Sequence, residues 1–188
     1  ERLKIVQGNF VNIDKIVEEN GTDKVDGILL DLGVSNIHFG QIKRGFSFRD
    51  EAQPLDMRLS PDDQWVGARE LINMLSEKQL ISLFAGVTGE AEAVRLAKAI
   101  VSGRPVATVG DLLRIAGYSK KVGRIHPATK AFLALRIAVN SELTNLREGL
   151  PKAGNLVGKG GRLLVITFHS LEEEIVSQFM KLRKPIVP

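Results

Sequence analysis

The chain has 188 residues, 44% hydrophobic and 26% charged, with a formal net charge of +4, no cysteine and three histidines. That is ordinary globular composition for one domain, or one domain with an insert, and it excludes disordered and collagen-like chains. It also excludes a disulfide framework and a thiolate metal site; three histidines argue against a multi-histidine site, so no metal is expected, and the lack of cysteine fits a reducing, cytoplasmic setting. The positive charge permits a polyanionic partner without requiring one. No apolar run approaches the roughly 18 residues of a membrane helix.

The chain opens on a short β-branched stretch, Leu3–Gln7, that reads as a strand. Asn12–Asn20 carries apolar residues at helical spacing and stops at Asn20-Gly21. Val25–Leu32 is a nearly continuous apolar run, which suits a strand covered on both faces, as in a parallel sheet. From about Ser60 to Gly117 the pattern is helical: Gly67–Leu75, Glu77–Phe84, Glu90–Val101 and Val109–Ala116, with Ser76 and Thr108 as N-caps. Thr129–Leu150 reads as one long helix whose core face runs through Phe132, Leu135, Val139, Leu143, Leu146 and Leu150. Gly158–Gly161 reads as a turn, Arg162–Phe168 as a buried-type strand, and Leu171–Lys181 as a helix with Glu172, Glu173 and Glu174 complementing its dipole. The whole predicts an α/β fold interrupted by an all-helical subdomain. With few strands and no glycine-rich turn in the first βα unit, further sheet is expected upstream of residue 1.

Four stretches carry groups suited to chemistry. Asp31-Leu32-Gly33-Val34-Ser35 leaves the strongest strand, and ligands of open α/β sheets bind beyond the carboxyl ends of strands. An ordinary strand exit, with Asp31 capping local amides, explains the pentapeptide as well. In Lys43–Arg49 (KRGFSFR), followed by Pro54–Arg58 (PLDMR), cations alternate with Phe46 and Phe48, as phosphates and an unstacked base would require. Anchoring of a long loop to the core is the competing account. From Leu112 to Ser141 there is no acidic residue, while Arg114, Lys120, Lys121, Arg124, Lys130 and Arg136 are basic, which suits phosphates or a solvated linker. Arg136 lies among apolar positions, so it needs a carboxylate such as Asp31 or Asp56, or a substrate phosphate. His169 ends the terminal strand on the same rim as Asp31, where a lone histidine is more often structural than catalytic.

Seven segments in one order resemble the RsmH/MraW family: Gly8–Phe10, Asp26–Ser35, Arg44–Arg49, Pro54–Arg58, Arg124–Lys130, Ala134–Leu143 and Gly160–Glu174. That family comprises S-adenosylmethionine-dependent methyltransferases acting on cytosine N4 in small-subunit ribosomal RNA. The resemblance implies a Rossmann-like class I core over 1–58 and 128–188, with a helical insert over 59–127 that helps grip RNA. It implies Asp31, Ser35 and His169 as catalytic residues, and Asn9, Phe10, Asp31, Gly33 and His38 around the cofactor. His38 replaces the family's usual glutamine. Arg44, Phe46, Phe48, Arg49, Arg58, Arg124, His126, Lys130 and Arg136 are the expected RNA contacts. The implied partner is ribosomal RNA within the small subunit, with no membrane and with a homodimer left open. The rival readings are a non-catalytic nucleic-acid-binding module and a methyltransferase for another base.

Overall fold

The computed structural model describes residues 3–35, 43–118 and 126–182. In chain order a 3₁₀ turn, Phe10–Asn12, leads into α1 (Ile13–Glu19) and β1 (Val25–Asp31). Then come α2 (Ala68–Met74), α3 (Glu77–Thr88), α4 (Glu90–Gly103), α5 (Val109–Ile115) and α6 (Ala128–Val139). The chain closes with α7 (Glu142–Leu156), β2 (Val157–Ile166) and α8 (Ser170–Leu182). It divides into two compact units: residues 1–33 with 142–188, and residues 34–141.

In the first unit β1 and β2 pair in parallel, with Ile28 opposite Leu163, Leu30 opposite Val165 and Asp31 opposite Ile166. Side chains alternate across a strand. Leu30 and Leu32 therefore turn to one face, where they form a core with Leu146, Leu150 and Ala153 of α7 and with Ile175, Val176 and Phe179 of α8. The other face carries Leu29, Leu164 and Ile166, which are 62%, 54% and 45% exposed. The apolar run was expected to be covered on both faces; among the described residues one face is covered.

The expected turn at Gly158–Gly161 lies within β2, as an irregularity in the pairing: Val25 faces Val157, and the next aligned pair is Gly27 with Arg162. Gly160 sits there at φ +82°, a conformation open to glycine at little cost. Leu3–Gln7 is not a strand. It has no pairing partner among the described residues, and Leu3 and Ile5 are 72% and 87% exposed.

The second unit is helical apart from its loops. Ile72, Leu80, Phe84, Leu96, Ile100, Leu112 and Leu135 are all completely buried in one core. Both expected N-caps are present: Ser76 Oγ accepts from Gln79 N and Thr108 Oγ1 from Asp111 N, each with its reciprocal side-chain bond. The loop 43–60 belongs to this unit, because Leu55 and Met57 enter the same core. Residues 34–58 and 128–141 thus fall in one compact unit with the helices 68–115.

The single helix expected over 129–150 is two helices. Asn140 ends α6, and Ser141 follows with φ +50°. The Asn140 Nδ2 donates to Met57 O (2.9 Å) and to Arg136 O (3.0 Å). Its Oδ1 accepts from Leu59 N (2.9 Å) and Gln64 Nε2 (3.1 Å). A side chain that satisfies the neighbouring loop this completely competes with helix continuation, which apolar spacing alone does not reveal.

Candidate active site and nucleic-acid contacts

Parallel pairing brings the ends of β1 and β2 to one rim. Leu32 N donates to Ile166 O at 3.2 Å, so the chain leaves β1 in register with the end of β2. Asp31 lies on the solvent side there, exposed, opposite Ile166. Two residues on, Gly33 turns the backbone at φ +86°. The result is an accessible carboxylate beside a backbone without a side chain, at the edge where parallel sheets take ligands. Ser35 is exposed and belongs to the helical unit.

His169, on the same rim, is not offered to solvent. Its side chain is 11% exposed, and Nδ1 lies 3.4 Å from Glu172 N in an N-cap arrangement over α8. Glu172 is buried; its Oε2 accepts from Phe168 N at 2.8 Å, so it caps this helix start rather than merely adding charge near it. The ring lies against Glu172, with Nε2 3.3 Å from Glu172 Oε1.

The two residues expected beside the cofactor near the N-terminus have local duties. Asn9 Oδ1 accepts from Val11 N and caps the 3₁₀ turn. Phe10 is half-buried and packs on the Leu30–Leu150 core. Its ring lies so close to Gly149 that an added Cβ would come within 2.8 Å. His38 lies outside the described residues.

In the helical unit the loop PLDMR is held from several sides. Met57 sits at φ +63°, a strained region for a side chain of this kind, fixed by its N–H to Arg44 O (2.8 Å) and by Asn140 on its carbonyl. Arg58 grips Asp56 in a two-pronged pair, Nε to Oδ1 and Nη2 to Oδ2, both 2.8 Å. Burial pushes the Asp56 carboxyl upward. The hydrogen bonds from the Arg58 side chain and amide, with the Arg58 and Arg44 charges, outweigh it and leave the group below the ordinary range. Arg44 Nη1 donates to Arg58 O at 2.6 Å. Arg44 and Arg58 therefore build the loop, and the Asp56 partner expected for Arg136 is occupied by Arg58. Arg136 itself is half-buried on α6.

The aromatics divide. Phe46 is 5% exposed in the helical core. Phe48 is half-buried, stacked on His126 with centroids 4.6 Å apart and edge-on to Phe132 at 5.7 Å. His126 Nδ1 accepts from Ala128 N at 3.2 Å, so this histidine also serves the start of α6. Arg49 and Lys130 are exposed. Arg124 lies outside the described residues. Elsewhere in the unit, a groove of about 760 Å³ is lined by Arg69, Asn73, Met74, Arg104 and Val106. Two of its polar side chains are spent on backbone: Arg104 bonds Ile72 O and Leu75 O, and Asn73 bonds Val106.

Comparison with known proteins settles the family. The model of the MraW methylase family matches residues 1–188. The chain belongs to the MraW methylase family. Among curated relatives, a ribosomal RNA small subunit methyltransferase H of Coprothermobacter proteolyticus is 45% identical over 186 residues, covering 95% of this chain and 60% of that protein. Proteins of the same name from Methylobacterium sp. (strain 4-46) and Desulfosudis oleivorans are each 43% identical, over 97% of this chain and 55% and 60% of their own lengths. The chain thus spans somewhat over half the length of the curated relatives it matches. Membership of this methyltransferase family accords with the mixed helix and strand content and the parallel β1–β2 pair. No described helix is long and apolar enough to cross a membrane.

Sequence reasoning placed Asp31 at a strand end with Gly33 beside it, and the caps at Ser76 and Thr108, because strand ends, glycines and cap residues are local signals. It missed the grouping of Glu142 with His169 and Glu172. Glu172 stands three residues after His169, a spacing that was legible. Glu142 joins through the packing of α7, which no local pattern announces.

Proposed function

We propose that this chain carries out S-adenosylmethionine-dependent methylation of cytosine N4 in small-subunit ribosomal RNA, on a Rossmann-like core with the helical unit as an RNA-gripping insert. The observation that carries the reading is Asp31, exposed at the carboxyl end of parallel β1 beside Gly33, in a chain of the MraW methylase family. The names of the relatives supply the substrate class.

The rim fits part of a cofactor and base site. Gly33 allows close approach of a ligand to the backbone, and Asp31 offers acceptor oxygens. S-adenosylmethionine, when bound, supplies an electrophilic methyl group on a sulfonium. The N4 amine of cytosine is a poor nucleophile because its lone pair is delocalised into the ring. Asp31 accepts a hydrogen bond from N4–H, localises that lone pair and leads the departing proton toward solvent. Orientation of the two reactants supplies much of the remaining acceleration. Backbone phosphates fall to the exposed Arg49 and Lys130, with Phe48 as the aromatic nearest the loop surface and Arg44 and Arg58 holding the loop in shape.

The test is methyl transfer to small-subunit ribosomal RNA by the full-length protein, followed by mass spectrometry of the nucleosides. N4-methylcytidine is expected, and D31A should lower the rate by at least about a hundredfold. Methyl groups on adenine or guanine, or salt-dependent RNA binding with no transfer, would overturn the assignment.

A further inference from the structure

Phe46 and Phe48, the aromatics expected to stack on a base, are both engaged, Phe46 in the core and Phe48 on His126. Among the described residues of the helical unit, Trp65 is the aromatic whose ring stands in water, 92% exposed, with Val66 beside it 45% exposed. An indole is ordinarily enclosed, because its large apolar surface gains from burial. The turn that carries this one is rigid. Ser60 N donates to Gln64 Oε1 (2.8 Å), Gln64 N to Ser60 O (3.0 Å) and Ser60 Oγ to Asp63 Oδ2 (2.6 Å). Gln64 Nε2 donates to Val139 O (2.9 Å), and Arg58 Nη1 donates to Gln64 O (2.8 Å). The residue before Trp65 is thus tied by its side chain to the end of α6 and by its carbonyl to the loop. A ring presented this way needs little ordering when a partner covers it.

Charge decides what that partner is. Residues 34–141 hold fifteen lysines and arginines against ten aspartates and glutamates, a net +5, whereas the rest of the chain sums to −1. The positive excess therefore belongs to the unit that displays Trp65, which suits a polyanion. We propose that Trp65 is a stacking platform for an unpaired base of RNA, an inference that rests on the RNA substrate proposed above. Every base offers a flat π-face to the indole, so the contact is tolerant of sequence. Asp62 and Asp63, both exposed, repel phosphate from the turn itself, so the indole meets a base and not the backbone. Phosphates are left to cations further along the unit, among them Arg69, whose side chain is 61% exposed and whose ion contact is with Glu70 at 3.9 Å. A single strand is selected over a duplex, because paired and stacked bases have no free face to give.

Trp65 is the single tryptophan of the chain, so its fluorescence reports this site directly. The experiment titrates the 188-residue chain with a single-stranded RNA of mixed sequence and with the same strand paired to its complement, at one ionic strength. Anisotropy of a label on the RNA follows binding. The indole emission should move to the blue and fall by at least about half with the single strand, and stay as it was with the duplex. W65A should weaken single-strand binding at least about fivefold and W65F should keep most of the affinity, since a smaller ring still stacks. Trp65 is exposed, so W65A should fold, which its circular dichroism and urea midpoint would establish. Emission unchanged while the single strand binds, equal quenching by the duplex, W65A affinity equal to that of the wild type, or no single-strand binding at all would overturn the proposal. D31A should still be quenched, so loss of the proposed methyl transfer is distinguishable from loss of this contact.

Discussion

The two compact units solve the problem of burying apolar surface in different ways. The helical unit encloses its core from all sides: Phe84, Leu80, Leu96, Ile100 and Leu135 have no exposed surface. The sheet unit covers one face of a two-stranded sheet and leaves Leu29, Leu164 and Ile166 in water, with Phe168 just past the strand 66% exposed. An amphipathic helix needs one apolar stripe covered, whereas a sheet has two faces, and each asks for its own layer. Stability in this chain should therefore be concentrated in residues 34–141. The candidate site chemistry, by contrast, sits mostly on the sheet unit.

Truncating a side chain in each unit gives the strongest test. Phe84→Ala removes a fully enclosed ring and should cost about 3–5 kcal/mol, read from the shift in urea midpoint. A cost near zero would mean that the helical core is loosely packed and that the contrast between the units is false. Asn140→Ala should come next, at about 2–3 kcal/mol, because it strips partners from Met57 O, Leu59 N and Gln64 Nε2 together. Since Asn140 also stops α6, the same variant should gain helical circular dichroism if the break is imposed by the side chain. It should not if the break is imposed by the packing of the flanking helices.

How far these elements were legible follows from the range of the forces that make them. The caps at Ser76 and Thr108, the helices from Ala68 to Ile115 and strand β1 rest on contacts a few residues apart, and their residue types declare them. Beside one local bond to Arg136 O, the break at Asn140 rests on bonds to residues 57, 59 and 64, which apolar spacing along the helix does not signal. The same holds for loop 43–60: alternating cations and aromatics resemble an RNA-binding surface, yet Phe46 is core and Arg58 is bound to Asp56. Aromatic and arginine residues are used for both purposes, so composition alone could not divide them. Asp31 was legible because a strand end next to a glycine is a local feature with a general consequence.

Acid should act on the helical unit through Asp56. Its folded pKa lies below the ordinary value, so the Arg58 pair contributes stability above the ordinary carboxylate range and loses it as pH falls through the depressed folded value. Melting of the wild type should therefore drop on acidification below about pH 4 more steeply than that of D56N, which has no such proton to take up. Parallel pH profiles for the two proteins would mean that the loop is held without the charge pair.

The smallest effect is expected on the bare sheet face, and it sharpens the comparison most. Leu164 pairs across the strands with Leu29, and both are more than half exposed. Leu164→Ala should therefore change the stability of this 188-residue chain by less than about 0.5 kcal/mol, since little surface returns to water that was not already there. Leu163→Ala, one residue away and turned to the covered face against α7 and α8, should cost several times more. Equal costs at the two positions, measured by urea unfolding of the same preparation, would show that both faces are covered in solution, and the difference drawn between the two units would vanish.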